Sequence, residues 1–183
     1  MYGCLITPPV NPEADIGVLF MHNQGFSTMC GHGIIGLATA LLETGMLPKK
    51  EPERTVKIDT PAGLVTAHAR VESGRVKSVY FHNVPSFVLA MDETVSVHGL
   101  GKVEYDIAFG GAFYAYIRAE DSGLSCIQDQ YRSLIEKGMA IKKAIMESRS
   151  IIHPFEKDLS FLYGTIFTAP PLTEGADMTN VCI

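Results

Sequence analysis

The sequence predicts an α+β fold of two units, each a sheet folded around a helix, with the second unit incomplete. Three observations predict it. Strand-length apolar runs lead into an uncharged helical segment and then an alternating meander; a second set of strands, one amphipathic helix and further strands follow; and the composition is that of a chain with a core to bury. With 183 residues, 46% of them hydrophobic and 19% charged, there is enough apolar material for one sizeable core or two small ones.

Met1-Tyr2-Gly3-Cys4-Leu5-Ile6 reads as a short strand closed by Thr7-Pro8-Pro9, and Ile16 to Met21 as a second strand, with Gly25 turning the chain toward Cys30. From Gly33 to Leu42 there is no charged residue and a single hydroxyl. A helix here is apolar on every face and is expected to be wrapped by other structure. Ser27 or Thr28 is expected to cap its start, and Thr44-Gly45 followed by Pro48 to end it. Lys49-Lys50 to Arg54, interleaved with Glu51 and Glu53, reads as a solvated loop.

A meander follows: Thr55 to Thr60, a turn at Pro61-Ala62-Gly63, Leu64 to Val71, a turn at Glu72-Ser73-Gly74-Arg75, then Val76 to Val84. Phe87 to Met91 and Thr94 to Val97 read as two further short strands. Gly99-Leu100-Gly101 reads as a boundary, giving units 1–101 and 102–183. In the second, Val103 to Phe109 and Ala112 to Ile117 are strands. Ile127, Tyr131, Leu134, Ile135, Ile141 and Ile145 form a helical core stripe, with Lys137, Lys142, Lys143 and Glu147 on the wet face. Phe161 to Thr168 is a strand, and Asn180 to Ile183 opens one more. Beginning mid-strand and ending on an apolar run, the chain reads as shortened at both ends.

No apolar run reaches the ~18 residues of a spanning helix, and Met1 to Val10 carries no basic residue of the kind that opens a secretory signal. A net charge of −5 without a clustered basic face argues against nucleic acid. Cys4, Cys30, Cys126 and Cys182 have no metal-ligand spacing and are too sparse for a disulfide scaffold, so no metal and a reducing, cytoplasmic setting are expected. His68, His82 and His98 are read as surface or hydrogen-bonded histidines sharing no metal site.

The chemistry-bearing stretch is Ser27-Thr28-Met29-Cys30-Gly31-His32-Gly33. Cys30 falls at or just before the first helical turn, where the helix dipole and unpaired N–H groups favour an anion, so its thiol is expected to ionise below its ordinary value of about 8.5. Gly31 and Gly33 leave the neighbouring amides open to a small carboxylate. The alternative is a structural cysteine beside two packing glycines.

Met29-Cys30-Gly31-His32-Gly33 with Ile34 and Ile35 resembles the first catalytic motif of the proline racemase family, which includes proline racemase, 4-hydroxyproline epimerase and trans-3-hydroxy-L-proline dehydratase. The likeness continues in order through Met1-Tyr2-Gly3, Gly17-Val18-Leu19-Phe20, His22-Asn23, Pro61-Ala62-Gly63, Asn83 to Val88, Asp106 to Ala115 and Asp158 to Ile166. Gly99 to Tyr116 and Leu162-Tyr163-Gly164-Thr165 are most similar to the dehydratase branch. The resemblance implies two pseudo-symmetric domains of the diaminopimelate-epimerase type, an imino acid bound in the cleft between them, and no cofactor.

It further implies that Cys30, as thiolate, is the base that removes the α-proton, while the N–H groups of Gly31 and His32 bind the substrate carboxylate. An α-proton is so weakly acidic that a placed base and charge stabilisation are both needed. In epimerases and racemases a second cysteine returns the proton from the opposite face. In dehydratases a threonine stands there, and the 3-hydroxyl leaves to give a pyrroline carboxylate. That second motif, an acidic residue with Ser-Pro-Cys or Ser-Pro-Thr and then Gly-Thr-Gly, is not among these residues; Cys182 lies upstream of where it would begin and is assigned no role. The 183 residues alone are therefore expected to be inactive or nearly so. An epimerase or racemase, and a non-catalytic relative that survives by binding a partner, are the competing readings. Association through unpaired strand edges is expected, a homodimer among its forms.

Overall fold

A computed structural model describes residues 2–23 and 25–183. The chain divides into two compact units, Met1–Pro85 and Ser86–Ile183, and each holds a sheet with one long helix, so the α+β class is as expected.

In the first unit, β1 (Tyr2–Thr7), β2 (Ile16–His22), β3 (Gly25–Ser27), β4 (Glu53–Thr60), β5 (Gly63–Glu72) and β6 (Arg75–His82) form a sheet of order β1-β2-β4-β5-β6, with β3 hydrogen-bonded to β2. The pairs β1/β2, β4/β5 and β5/β6 are antiparallel; β2 and β4 run parallel at Ile16↔Ile58 and Gly17↔Asp59. A parallel pair needs a crossover, and helix α1 (Gly31–Glu43) supplies it. Alternation along β4 and β5 puts Val56, Ile58, Val65, Ala67, Ala69 and Val71 into the core, where α1 contributes Ile34, Leu37, Ala38, Leu41 and Leu42.

Two expectations for α1 change. Its N-cap is Cys30, not Ser27 or Thr28: the Ser27 hydroxyl is spent on the Met29 carbonyl at 2.8 Å, and Ser27 itself ends β3. Its burial is one-sided among the described residues, since Ile35, Gly36 and Ala40 are exposed. The expected stop holds, with Thr44 as C-cap and Gly45 in the left-handed region at φ 77°.

In the second unit, β7 (Phe87–Val97), β8 (Gly101–Phe109), β9 (Phe113–Arg118), β10 (Leu162–Ala169) and β11 (Thr179–Cys182) form a sheet of order β11-β10-β9-β8-β7. Only β9/β10 is parallel, bridged by helix α2 (Tyr131–Ser148). The expected boundary at Gly99 to Gly101 is displaced to Pro85/Ser86. Val97 pairs with Gly101, so His98-Gly99-Leu100 is the hairpin turn joining β7 to β8; a Gly-rich turn has the same composition inside a unit as between units. The two short strands expected between Phe87 and Val97 are one strand with a register shift between Ala90 and Glu93, where Asp92 takes φ 54° and donates its N–H to Asp106 Oδ1 at 2.9 Å.

The stripe of α2 is also narrower than its periodicity suggests. Leu134, Ile141 and Ile145 are buried with Gly138, whereas Tyr131 and Ile135 are about half exposed and Ile127 precedes the helix. Lys142 is not on a wet face: half-buried, it donates from Nζ to the Tyr163 carbonyl at 2.6 Å, and burial pushes its pKa down.

Candidate active site

Three pieces of the first unit deliver Cys30 to the start of α1. The β2/β3 hairpin pairs Phe20 with Ser27, which fixes the entry. The turn between β4 and β5 donates the Ala62 N–H to the Thr28 carbonyl at 3.2 Å. Cys30 itself is extended at φ −145°, ψ 109°, and its carbonyl already accepts the Ile34 N–H at 2.9 Å, as an N-cap residue does.

The Cys30 side chain performs the capping as well. Sγ accepts the Gly33 N–H at 3.4 Å, the bond an aspartate or serine would usually take. No acidic residue stands in the first turn of α1 to offset the positive end of the helix. Cys30 is half-buried, so the sulfur is held near backbone donors without being sealed in the core. Gly31 and His32 occupy the first two helical positions, whose N–H groups have no carbonyl one turn earlier to bond; His32 is exposed and Gly31 half-exposed.

Both glycines have aromatic side chains close by. A Cβ on Gly33 would lie 2.6 Å from Phe20 Cε1, and one on Gly31 would lie 3.1 Å from Phe81 Cζ. Gly33 also gives its N–H to Cys30. The first-turn N–H groups without an intrahelical partner are those of Gly31 and His32.

The other cysteines differ in setting. Cys126 is buried, its thiol donates to the Phe167 carbonyl at 3.7 Å, and burial pushes its pKa up. Cys182, exposed as a residue on β11, has its thiol shielded enough that burial raises its pKa against the opposing Tyr114 hydrogen bond. Cys4 is exposed on β1.

Sequence reasoning missed a cluster on the outer face of the first sheet. His68 stacks on Tyr80 with ring centroids 4.8 Å apart, and His82 stands edge-on to His68 at 5.2 Å. Glu53 Oε1 meets His68 Nδ1 at 3.2 Å. Only the register Thr55↔His68↔Tyr80 brings these together, and spacing along the chain carries no trace of it. Among the described residues no group of three or more His, Cys, Asp or Glu side chains is arranged to hold a metal, and no helix is long and apolar enough to cross a membrane.

A family model described as proline racemase matches residues 1–183. The chain belongs to the proline racemase family. Among its relatives, a trans-L-3-hydroxyproline dehydratase from Pongo abelii is 45% identical over 193 residues, covering 100% of this chain and 53% of the relative. A 4-hydroxyproline 2-epimerase from Streptosporangium roseum is 45% identical over 170 residues, covering 93% and 51%. A crystal structure of a hydroxyproline epimerase from Agrobacterium vitis, with bound trans-4-hydroxy-L-proline, superposes with a TM-score of 0.87 at 32% identity over 92% of this chain and 49% of that one. This member of the proline racemase family spans about half the length of the curated relatives it matches.

Proposed function

We propose that the chain supplies the Cys30 half of a cofactor-independent α-proton abstraction from an imino acid, and that the reaction served is dehydration of trans-3-hydroxy-L-proline. The supporting observation is a half-buried cysteine capping a helix, its sulfur 3.4 Å from a backbone N–H, in a chain whose relatives include a dehydratase of that name.

The step balances on the residues present and the substrate. The Cys30 thiolate takes the α-proton, forming S–H and breaking C–H, while the electron pair moves onto the carbon and its carboxylate. The N–H groups of Gly31 and His32 hold that carboxylate as its charge grows. The C2–C3 double bond then forms as the 3-hydroxyl departs with its bonding pair and takes up the proton held on Cys30, leaving as water and restoring the thiolate, and the enamine tautomerises to a pyrroline-2-carboxylate. Two charge-assisted bonds of ~1.5–3 kcal/mol each correspond to binding near the millimolar level, which is enough to detect and too little to fix both faces of the ring. Cys30 addresses one face, so the 183 residues by themselves are expected to turn over little or no substrate.

Epimerisation of 4-hydroxyproline is the second reading, favoured by the epimerase relative from Streptosporangium roseum. Both readings share Cys30, Gly31 and His32 and part ways at the group that faces the other side of the ring.

A titration of the ¹⁵N-labelled chain with trans-3-hydroxy-L-proline, trans-4-hydroxy-L-proline and L-proline, followed by amide chemical shifts, tests the site. The expected result is a saturable shift at Gly31 and His32, largest with the 3-hydroxy compound. A larger response to the 4-hydroxy compound favours epimerisation. Silence at both amides with all three overturns the carboxylate site.

A further inference from the structure

The turn that carries Cys30 is gripped from two sides by aromatic rings. Phe20, from β2, is 1% exposed and lies under Gly33, its Cε1 2.6 Å and Cδ1 2.9 Å from where a Cβ would sit. Phe81, from β6, lies against Gly31, its Cζ 3.1 Å and Cε1 3.6 Å from the corresponding point. Phe20 is ordinary core. Phe81 is half-buried and meets the residue that follows Cys30.

We propose that Phe81 is a positioning residue for Cys30: its ring edge is the stop against which Gly31 rests, and it sets where the first-turn N–H groups stand relative to the sulfur. Besides the hydrogen bonds within the turn, three contacts bear on it from elsewhere in the unit. Ala62 N–H holds Thr28 from the β4/β5 turn, Phe20 fixes Gly33, and Phe81 fixes Gly31. The first two bear on either end of the turn, and the Phe81 ring meets Gly31 between them. Gly31 is then required because the ring occupies the room a methyl group would need.

The proposal rests on the reading of Cys30 as the reactive thiol, and a double-mutant cycle on the full chain separates the two. The readout is the rate at which Cys30 is alkylated by iodoacetamide relative to Cys4 in the same molecule, followed by peptide mass spectrometry at neutral pH. Circular dichroism and the continued protection of buried Cys126 report that the fold is intact. Phe81→Ala is expected to slow Cys30 about threefold at neutral pH, the size of a helix-terminus effect. A merely structural role would not be reversed by a second substitution at position 31.

Gly31→Ala alone is expected to slow Cys30 similarly, since its methyl group meets the ring. The Gly31→Ala/Phe81→Ala pair is expected to recover most of the wild-type rate, because the methyl group fills the space the ring vacates. Phe81→Leu, which keeps the core filled, is expected to give the same sign at smaller size and stands in if Phe81→Ala does not fold. A Phe81 variant that labels Cys30 at the wild-type rate, or a double variant slowed by the product of the two single effects, overturns the proposal. If wild-type Cys30 labels no faster than Cys4, the reactive-thiol reading fails, while the sign of the coupling between positions 31 and 81 is still read from the cycle.

Discussion

At the scale of single residues, Cys30 has two separable jobs, and substitution separates them. Serine keeps an oxygen that can accept the Gly33 N–H, so Cys30→Ser is expected to match the wild type in urea unfolding while losing all thiol chemistry. Cys30→Ala removes the cap and is expected to cost about 1 kcal/mol. Equal stability of the two variants would mean that the 3.4 Å contact contributes nothing to α1. Thr165 poses the opposite case. Its Oγ1 is buried without a partner among the described residues, and the residue is 0% exposed. An orphaned buried hydroxyl costs about 1–3 kcal/mol, so the near-isosteric Thr165→Val is expected to raise the unfolding midpoint. A lower midpoint would reveal that the hydroxyl is satisfied.

At the scale of elements, α2 lies close to β10 because Gly138 has no side chain there. A Cβ at that position would come 2.8 Å from Thr165 Oγ1 and 3.0 Å from Ile183 Cβ. Helix propensity favours Gly138→Ala by about 1 kcal/mol, but overpacking costs about 1–3 kcal/mol. Packing is expected to win, with a net loss measurable by thermal unfolding; a gain would mean that α2 can back away from the strand. The far end of α1 is tied down electrostatically: Glu43 accepts from Lys49 Nζ at 2.7 Å and from the Val76 N–H at 2.6 Å. These bonds hold its carboxyl below the ordinary carboxylate value, the Lys49 bond contributing most and the Val76 N–H next. A depressed folded-state pKa means that this contribution is present above the unfolded value and lost as pH falls through the folded one. Glu43→Gln is therefore expected to weaken the protein near neutrality and to match it in acid, a convergence that unfolding curves across that range would show or refute.

Several elements were legible from the sequence for physical reasons. An uncharged run ended by Thr44-Gly45 has few options besides a helix of that length, and Pro61-Ala62-Gly63 and Gly74 punctuate alternating strands. What stayed hidden depends on register and on who occupies a neighbour's space. Capping preferences point to Ser27 and Thr28, yet β3 claims the first and a sulfur takes the cap. The α2 periodicity marks an apolar side without telling Leu134 from Ile135, which differ in whether the sheet lies beneath them. His68 and Tyr80 meet only through β5/β6 pairing. At the Cys30 turn the motif was readable, whereas the rings behind Gly31 and Gly33 were not, since Phe20 and Phe81 are distant in sequence.

At the scale of the whole molecule, each sheet presents outer strands. On β1, Tyr2 is 71% and Leu5 51% exposed, an apolar edge of the kind that pairs with other chains. Concentration-dependent self-association is expected in light scattering, and a monomer across the accessible range would contradict it. The central claim concerns chemistry, however, and competitive alkylation tests it most directly. At neutral pH, with limiting iodoacetamide and peptide mass spectrometry, Cys30 is expected to label ahead of Cys4, Cys182 and the buried Cys126, and trans-3-hydroxy-L-proline at millimolar concentration is expected to slow Cys30 alone. Labelling of Cys30 no faster than Cys4, unchanged by the imino acid, would contradict it.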